Sequence, residues 1–141
     1  MHDQPVSSIM RVNVVTVDRG LKVAEVVRLM AHRNIGAVLV TDGGKPAGIF
    51  SERDVLRRGV ARGVNLEQTS VHMVMSPKLV TVTRAETVGS VGYQMHHLNM
   101  RHIPVVEDGT LLGMVSIRDV LGALIGANES EEGFAGEGEG A

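Results

Sequence analysis

The sequence lacks cysteine altogether, which excludes disulfide bonds, thiolate metal sites and cysteine nucleophiles. It also lacks tryptophan and has one tyrosine and two phenylalanines among 141 residues. We therefore expect an aliphatic core, and we do not expect recognition of bases by aromatic stacking. No stretch approaches the roughly 18 consecutive apolar residues of a membrane span, and residues 1–5 do not lead into the apolar run of a signal peptide. We expect a cytoplasmic protein without membrane association.

Charge is unevenly distributed along the chain. The formal net charge is -2, but five glutamates after Gly126 carry -5 without any lysine or arginine, which leaves +3 for residues 1–125. A net charge of +3 over residues 1–125 is too small for the dense lysine and arginine face of a nucleic-acid-binding protein, although it suits a small anionic ligand. Residues 127–141 are too poor in apolar side chains to offset the entropy of ordering, so this tail is predicted to be disordered.

One stretch of sequence occurs twice. Residues 48–56 read GIFSERDVL, and residues 113–121, which lie 65 positions later, read GMVSIRDVL. The alignment extends without insertion from Val6 against Val71 to Leu56 against Leu121. This period is longer than that of a solenoid repeat and occurs only twice, so we expect two half-domains related by a pseudo-twofold axis.

Each copy is predicted to fold as β-α-β-β-α, with a three-stranded sheet backed by two helices. The predicted strands are 14–17, 37–41 and 48–50 in the first copy, and 79–82, 102–106 and 113–115 in the second. The predicted helices are 22–33 and 52–61, then 87–98 and 117–125, with short helical leads at 5–10 and 69–75. Gly89 and Gly92 either permit close packing of the helix at 87–98 or simply weaken that helix.

Ser51 with Asp54, and Ser116 with Asp119, stand where a strand meets a helix in each copy. A serine at the N-cap and an acid three residues later form a capping box, which is a purely structural interpretation. The functional interpretation uses the same position, because a carboxylate there can accept both hydroxyls of a ribose. The recurrence of the pair in register favours the functional interpretation.

The Gly-h-h-Ser-x-x-Asp junctions, the runs at 34–38 and 99–104 that precede them, and the leads Ile9-Met10 and Val74-Met75 resemble the tandem CBS-domain pair, or Bateman module. The resemblance covers about residues 4–126. It implies an α/β (α+β) fold in which two pseudo-symmetric β-α-β-β-α repeats, residues 1–62 and 63–126, pack sheet to sheet as one module.

The resemblance also implies a ligand site in each of two clefts between the repeats. In site A, Asp54 would hold the ribose and Ser51 would assist. The other site A residues are Lys78, Leu79 and Val80 for the adenine, Arg101, His102 and Arg118 for the phosphates, and Ile103 and Pro104 as an apolar wall. Site B would comprise Asp119 and Ser116 for the ribose, Asn13, Val14 and Val15 for the base, Gly36, Ala37 and Val38 opposite, and Arg53 towards the phosphate. For Arg53 and Arg118, a solvated helix face or an ion pair is the alternative.

The two sites are not expected to be equal. Where site A has Arg101 and His102, site B has Gly36 and Ala37, and charge-assisted hydrogen bonds are about twice as strong as neutral ones. We therefore expect site A to favour phosphorylated ligands. Site B is expected to take a nucleoside-like ligand, a weak ligand or none.

His96, His97 and His102 raise the possibility of a metal site. Adjacent histidines on a helix point about 100° apart, and no carboxylate lies four residues from either of the first two, so we expect no metal. No nucleophile has a paired base, and no two carboxylates are isolated together. We expect no catalysis and no required cofactor.

The leading hypothesis is a regulatory, ligand-sensing module that binds an adenine nucleotide of the AMP, ADP and ATP class, with AMP first. The alternative is a structural dimerisation or partner-docking module with vestigial clefts. Apolar residues on more than one helix face, such as Leu29 and Leu124, predict a homodimer. Any output is expected to pass to another, unidentified protein.

Overall fold

A computed structural model describes residues 3–132 of the chain. The helices in this range all lack the combination of length and apolar character that spanning a bilayer requires. The residues form two compact units, which do not coincide with the two sequence repeats. We call residues 13–80 the central unit, and residues 3–12 together with 81–132 the terminal unit.

The central unit is an α/β unit with a three-stranded sheet. Its elements in chain order are β1 (Thr16–Asp18), α1 (Val23–Arg33), β2 (Ala37–Asp42), β3 (Lys45–Ser51) and α2 (Glu52–Asp54), which continues as a π-helix over Val55–Val60. Strand β2 is the middle strand, parallel to β1 and antiparallel to β3. The strand-helix-strand connection and the hairpin thus confirm the predicted order of elements.

The core of the central unit is aliphatic apart from one phenylalanine, Phe50. Helix α1 directs Val23, Val26 and Met30 to the sheet, because positions three and four residues apart share one face of a helix. Each such side chain stabilises the fold by roughly 1.5–3 kcal/mol when fully buried. The other buried members are Val17, Val38, Val40, Val71 and Val74.

The terminal unit repeats this plan with a smaller sheet. Its elements are α3 (Val88–Leu98), β4 (His102–Glu107), β5 (Thr110–Ser116) and α4 (Ile117–Glu132). Strands β4 and β5 form an antiparallel hairpin whose register corresponds to that of β2 and β3. The buried core comprises Val6, Val82, Val88, Val91, Met95, Ile103, Val105, Val115 and Val120.

The first strand predicted for the second copy, at 79–82, is not formed. Only Val82 pairs with the sheet, through a single parallel bridge to Val105. In the central unit the Leu39 amide donates to the carbonyl of Val15 at 3.0 Å. The residue equivalent to Leu39 is Pro104, which has no amide hydrogen to donate. The expectation of three strands in each copy is therefore wrong for the terminal unit, and β1 begins at Thr16 rather than Val14.

Each unit is completed by the lead that precedes the other repeat. Residues 4–11 join the terminal unit, where the Val6 amide donates to the carbonyl of Glu86 at 2.7 Å. Residues 69–76 join the central unit, where the Val71 amide donates to the carbonyl of Leu21 at 2.8 Å. Val6 and Val71 are fully buried, so the leads are parts of the two cores. The predicted helical leads are confirmed as short 3-10 turns, Val6–Ser8 and Val71–Met73.

The two last helices differ from their predicted extents. The helix predicted over 52–61 becomes a π-helix after Asp54, with the Ala61 amide donating to the carbonyl of Leu56, and the buried Gly59 packs there against Leu66. Helix α4 runs through Glu132, into the tail that was predicted to be disordered. The remainder of that predicted tail, residues 133–141 with Phe134, lies outside the described residues.

Gly92 supports the interpretation in which small residues permit close helix packing. A Cβ at this position would stand 3.1 Å from Cγ1 of Val120, so α3 and α4 approach closely there. The equivalent residue in the central unit is Val27, and beside it lies a groove of about 260 Å³. Its lining residues are Val27, Met30, Ala31, Asn34, Ile35, Glu52 and Val55.

Candidate functional site

The motif acid of the central unit is held by the helix that it begins. The Ser51 amide and hydroxyl both donate to Oδ2 of Asp54, at 2.9 and 3.1 Å, and the Asp54 amide donates to Oγ of Ser51 at 3.3 Å. This is the predicted capping box. The second carboxylate oxygen, Oδ1, lies 3.3 Å from Nε of Arg58, one turn further along, and the Asp54 side chain is 13% exposed.

The motif acid of the terminal unit is held in the same way at one oxygen. The Ser116 amide donates to Oδ2 of Asp119 at 2.9 Å, and the Asp119 amide donates to Oγ of Ser116 at 3.1 Å. The other oxygen, Oδ1, accepts a hydrogen bond from Nε of Arg11 at 3.2 Å, and the Asp119 side chain is 11% exposed. In both units the cap fixes one oxygen while the second faces an arginine.

A carboxylate held in this way can accept a hydrogen bond from a hydroxyl group. An ionised carboxylate offers about four lone-pair positions and no donor. Because the backbone amide of the capping serine orients each acid through Oδ2, a hydroxyl can approach Oδ1 without loss of the cap. We call each of these arrangements a junction: the central junction at Asp54 and the terminal junction at Asp119.

Predicted site residues on β2 and β4 lie beside these acids. Ala37 is the pairing partner of Ser51, and the carbonyl of Gly36 accepts from the Glu52 amide at 3.0 Å. His102 is likewise the partner of Ser116. In the terminal unit the carbonyl of Arg101 accepts from the Ile117 amide at 2.9 Å. The next residues along these strands, Val38, Ile103 and Pro104, are buried.

The predicted base-lining residues all belong to the central unit. Asn13 and Lys78 are exposed, whereas Val14, Val15, Leu79 and Val80 are partly buried. The carbonyl of Val15 is engaged by the amide of Leu39 in β2, which anchors that segment to the sheet.

Within each unit, the strand partners of the motif acid are residues that the resemblance assigns to the other site. Within the central unit, residues 51–54 of site A lie beside residues 36–38 of site B. Within the terminal unit, residues 116–119 of site B lie beside residues 101–104 of site A. The cationic pair at 101 and 102 therefore shares a unit with Asp119 and not with Asp54.

The junctions differ in charge as a result. In the terminal unit Asp119 pairs with Arg11, Arg118 precedes Asp119 in the chain, and the Arg101 carbonyl accepts from the Ile117 amide. The central junction offsets its two arginines, Arg53 and Arg58, with the acids Glu52 and Asp54. Oε1 of Glu52 lies 3.6 Å from where a Cβ on Gly36 would stand, so the position equivalent to Arg101 faces a carboxylate. The sequence around the terminal junction is therefore the more positively charged of the two.

Sequence reasoning missed the two arginines that contact the motif acids. Arg58 follows Asp54 by four residues, and that spacing on a helix is a local signal for an ion pair. Arg11 is 108 residues from Asp119, and no local pattern connects them.

Helix α3 carries two histidines in its last turn. His96 and His97 are exposed, and the His97 ring stacks on Tyr93 with centroids 5.6 Å apart. Across residues 3–132 there is no group of three His, Asp or Glu side chains placed to hold a metal ion.

Comparison with known proteins identifies the family. The model of the CBS domain matches the chain twice, at residues 6–61 and 71–126. The CBS domain-containing protein CBSX3, mitochondrial, of Arabidopsis thaliana is 37% identical over 114 residues, which are 77% of this chain and 55% of that protein. The chain thus spans about half the length of this relative.

Solved structures have the same fold. A protein with CBS domains from Burkholderia ambifaria matches with a TM-score of 0.84 and 32% identity, over 87% of this chain and 95% of that one. The hexameric CBS-CP12 protein from bloom-forming cyanobacteria matches with a TM-score of 0.78 and 28% identity, over 90% of this chain and 74% of that one. The mixed α/β fold of two repeats is confirmed, and the chain belongs to the CBS-domain family, of which it carries a tandem pair.

Proposed function

We propose that the chain is a regulatory module that binds an adenine nucleotide, AMP first among the candidates, without turning it over. CBS-domain proteins are generally regulatory, ligand-binding modules. The observation that carries the finer proposal is the pair of motif acids, Asp54 and Asp119. Each is fixed at one oxygen by the cap, and each is nearly buried.

The acids suit a ribose because its two adjacent hydroxyls are donors and a carboxylate is a pure acceptor. Acids hold ribose hydroxyls in this way in dinucleotide sites. A carboxylate that the backbone already orients has little rotamer freedom to lose on binding. Residues 13–15 and 78–80 remain the proposed base-lining positions, where backbone groups can recognise the adenine.

We place the preference for phosphate at the terminal junction. Arg101, His102 and Arg118 are the proposed phosphate residues, and they share a unit with Asp119. The resemblance groups the same three residues with Asp54. The central junction, with Gly36 and Ala37 in the equivalent places, is proposed to hold a less phosphorylated ligand.

A thermal-unfolding screen with AMP, ATP, NAD, S-adenosylmethionine and adenosine tests the proposal. A ligand at 100 times its Kd stabilises the folded protein by about 2.7 kcal/mol. The double variant Asp54→Asn, Asp119→Asn keeps the side-chain size and loses charge-assisted hydrogen bonds worth about 1.5–3 kcal/mol each. We expect AMP to raise the Tm of the wild type and to lose most of that effect on the double variant. The absence of any shift with all five compounds contradicts the proposal.

A second candidate function is dimerisation or partner docking, and one observation favours it. Leu56 and Val60 are 62% and 57% exposed, and their repeat equivalents, Leu121 and Ile125, are 48% and 50% exposed. Each pair is four residues apart, so each unit presents a short apolar stripe. We propose a homodimer that buries these stripes, and the hexameric cyanobacterial relative supports assembly in this family. A dimer without any nucleotide-induced shift would favour this second function.

A further inference from the structure

Arg11 belongs to the N-terminal lead, yet it contacts the motif acid of the second repeat. Its backbone is fixed by a reciprocal pair of hydrogen bonds with Met114, at 2.8 and 2.9 Å. Gly113 allows this approach, because a Cβ there would stand 2.7 Å from the carbonyl oxygen of Arg11. The Arg11 side chain then reaches Oδ1 of Asp119 with Nε at 3.2 Å.

The sequence repeat does not explain this contact. The residue equivalent to Arg11 is Ser76, whose amide donates to the carbonyl of Ile49 at 3.1 Å. The backbone docking is thus common to both leads, whereas the cation is specific to the terminal unit. In the central unit the arginine on the motif acid, Arg58, comes from the helix that the acid begins.

We propose that Arg11 is a specificity-determining residue of the terminal junction, where it exchanges Asp119 for an anionic group of the ligand. This inference rests on the proposed nucleotide-binding function. Ribose hydroxyls need Oδ1 of Asp119, the oxygen that Arg11 contacts. The Arg11 side chain is 77% exposed and carries five donors, so its head can turn to an anion while the backbone stays docked.

The exchange distinguishes AMP from adenosine. Adenosine displaces Arg11 from Asp119 and provides no new partner for the guanidinium. AMP displaces the same contact and provides a phosphate, to which arginine binds with two parallel hydrogen bonds. Arg11 therefore opposes neutral nucleosides and favours their phosphates at Asp119.

Calorimetric titration of AMP and adenosine tests this, in an Asp54→Asn background that restricts ribose binding to the terminal junction. The test variants are Arg11→Ser, which installs the residue found at position 76, and Arg11→Lys. The matched control is Arg28→Ser, which removes the same charge from another exposed ion pair, 2.6 Å from Glu67 in the central unit.

We expect Arg11→Ser to lower the ratio of AMP affinity to adenosine affinity about tenfold, the lower end for a hydrogen bond to a charged group. Arg11→Lys should lower the ratio less than Arg11→Ser does, because lysine keeps the positive charge. Arg28→Ser should leave the ratio unchanged. An unchanged ratio in Arg11→Ser, with normal AMP binding by the parent, overturns this inference alone. Absence of AMP binding by the wild type overturns the proposed function as well.

A measurement without nucleotide checks the contact itself. In a double-mutant cycle, Arg11→Ser should lower Tm by about 2 °C in the wild type and have no effect on an Asp119→Asn background. Equal changes in both backgrounds would show that the two side chains do not interact, and would overturn the inference whatever the titrations give.

Discussion

Gly48 and Gly113 are equivalent glycines, and a lead crosses each of them at the same place. A Cβ on Gly48 would stand 2.8 Å from the carbonyl oxygen of Ser76, and one on Gly113 would stand 2.7 Å from that of Arg11. Real Cβ atoms do not approach other atoms this closely. The glycine of the Gly-h-h-Ser-x-x-Asp motif is therefore explained by the lead that packs on it.

Replacement of Gly113 by alanine should destabilise the protein by about 2 kcal/mol, because the lead would have to move off the strand. Gly48→Ala should behave similarly. The control is Gly122→Ala in α4, where a Cβ meets nothing within 4 Å and alanine should be neutral or stabilising by up to about 1 kcal/mol. Urea unfolding measures all three, and a Gly113→Ala protein as stable as Gly122→Ala would contradict this account of the lead.

Charge reversal at Arg101 should abolish the preference for AMP over adenosine at the terminal junction. A glutamate there replaces attraction for the phosphate with repulsion beside the nearly buried Asp119. Adenosine binding should change little, because adenosine is neutral and has no phosphate for the new glutamate to repel. Titration of both ligands into Arg101→Glu decides the matter. If the ratio is that of the wild type, the phosphate is held by other groups, with Arg118 the next to test.

Two substitutions that copy residues of the terminal junction should give the central junction a preference for AMP over adenosine. Gly36 is not among the glycines with positive φ, so it tolerates a side chain, but an arginine there would pair with Glu52. We expect Gly36→Arg alone to leave ligand preference at Asp54 unchanged. Gly36→Arg with Glu52→Ile, which reproduces the Arg101 and Ile117 arrangement, should raise AMP affinity over adenosine about tenfold.

The measurement for this conversion is calorimetry in an Asp119→Asn background. Glu52→Ile alone is the control, because it removes the negative charge without adding the arginine. If the single Gly36→Arg variant gains as much as the double variant, then Glu52 does not neutralise the new arginine and the proposed role of Glu52 is wrong.

The two exposed apolar stripes, Leu56 with Val60 and Leu121 with Ile125, should control self-association. Leu56→Glu with Leu121→Glu places charges in the middle of both stripes, and burial of an unpaired carboxylate costs far more than a leucine contact gains. We expect a dimer for the wild type and a monomer for this variant in sedimentation velocity at tens of micromolar. Met73→Glu, at a residue that is 66% exposed but outside the stripes, should remain a dimer. A monomeric wild type would contradict the proposed homodimer.

Much of the fold could be predicted because its signals are local. Val23, Val26 and Met30 have the apolar spacing of one helix face, which predicts α1, and the three-residue spacing of Ser51 and Asp54 predicts the cap. Duplication then extended each prediction to the second copy. Agreement between local pattern and tertiary fold is expected where the same residues decide both.

The predictions that failed depend on partners distant in sequence. The strand at 79–82 has the right composition, but the donor that would pair with it is missing at Pro104 in another strand. The counter-ion of Asp119 is Arg11, and no local sequence pattern near either residue indicates that they form an ion pair.

Because the leads at 4–11 and 69–76 are exchanged, the segment that is duplicated in the sequence differs from the segment that folds as one unit. Val6 is buried in the terminal unit and Val71 in the central unit, so each repeat gives its own lead to the other unit's core. A chain that contained a single repeat would have no second lead in the same molecule to fill that place. It could complete its core only with the lead of another molecule, so a one-repeat version of this fold is an obligate pair of chains, and fusion of two copies turns that pairing into an intramolecular one with a high effective concentration.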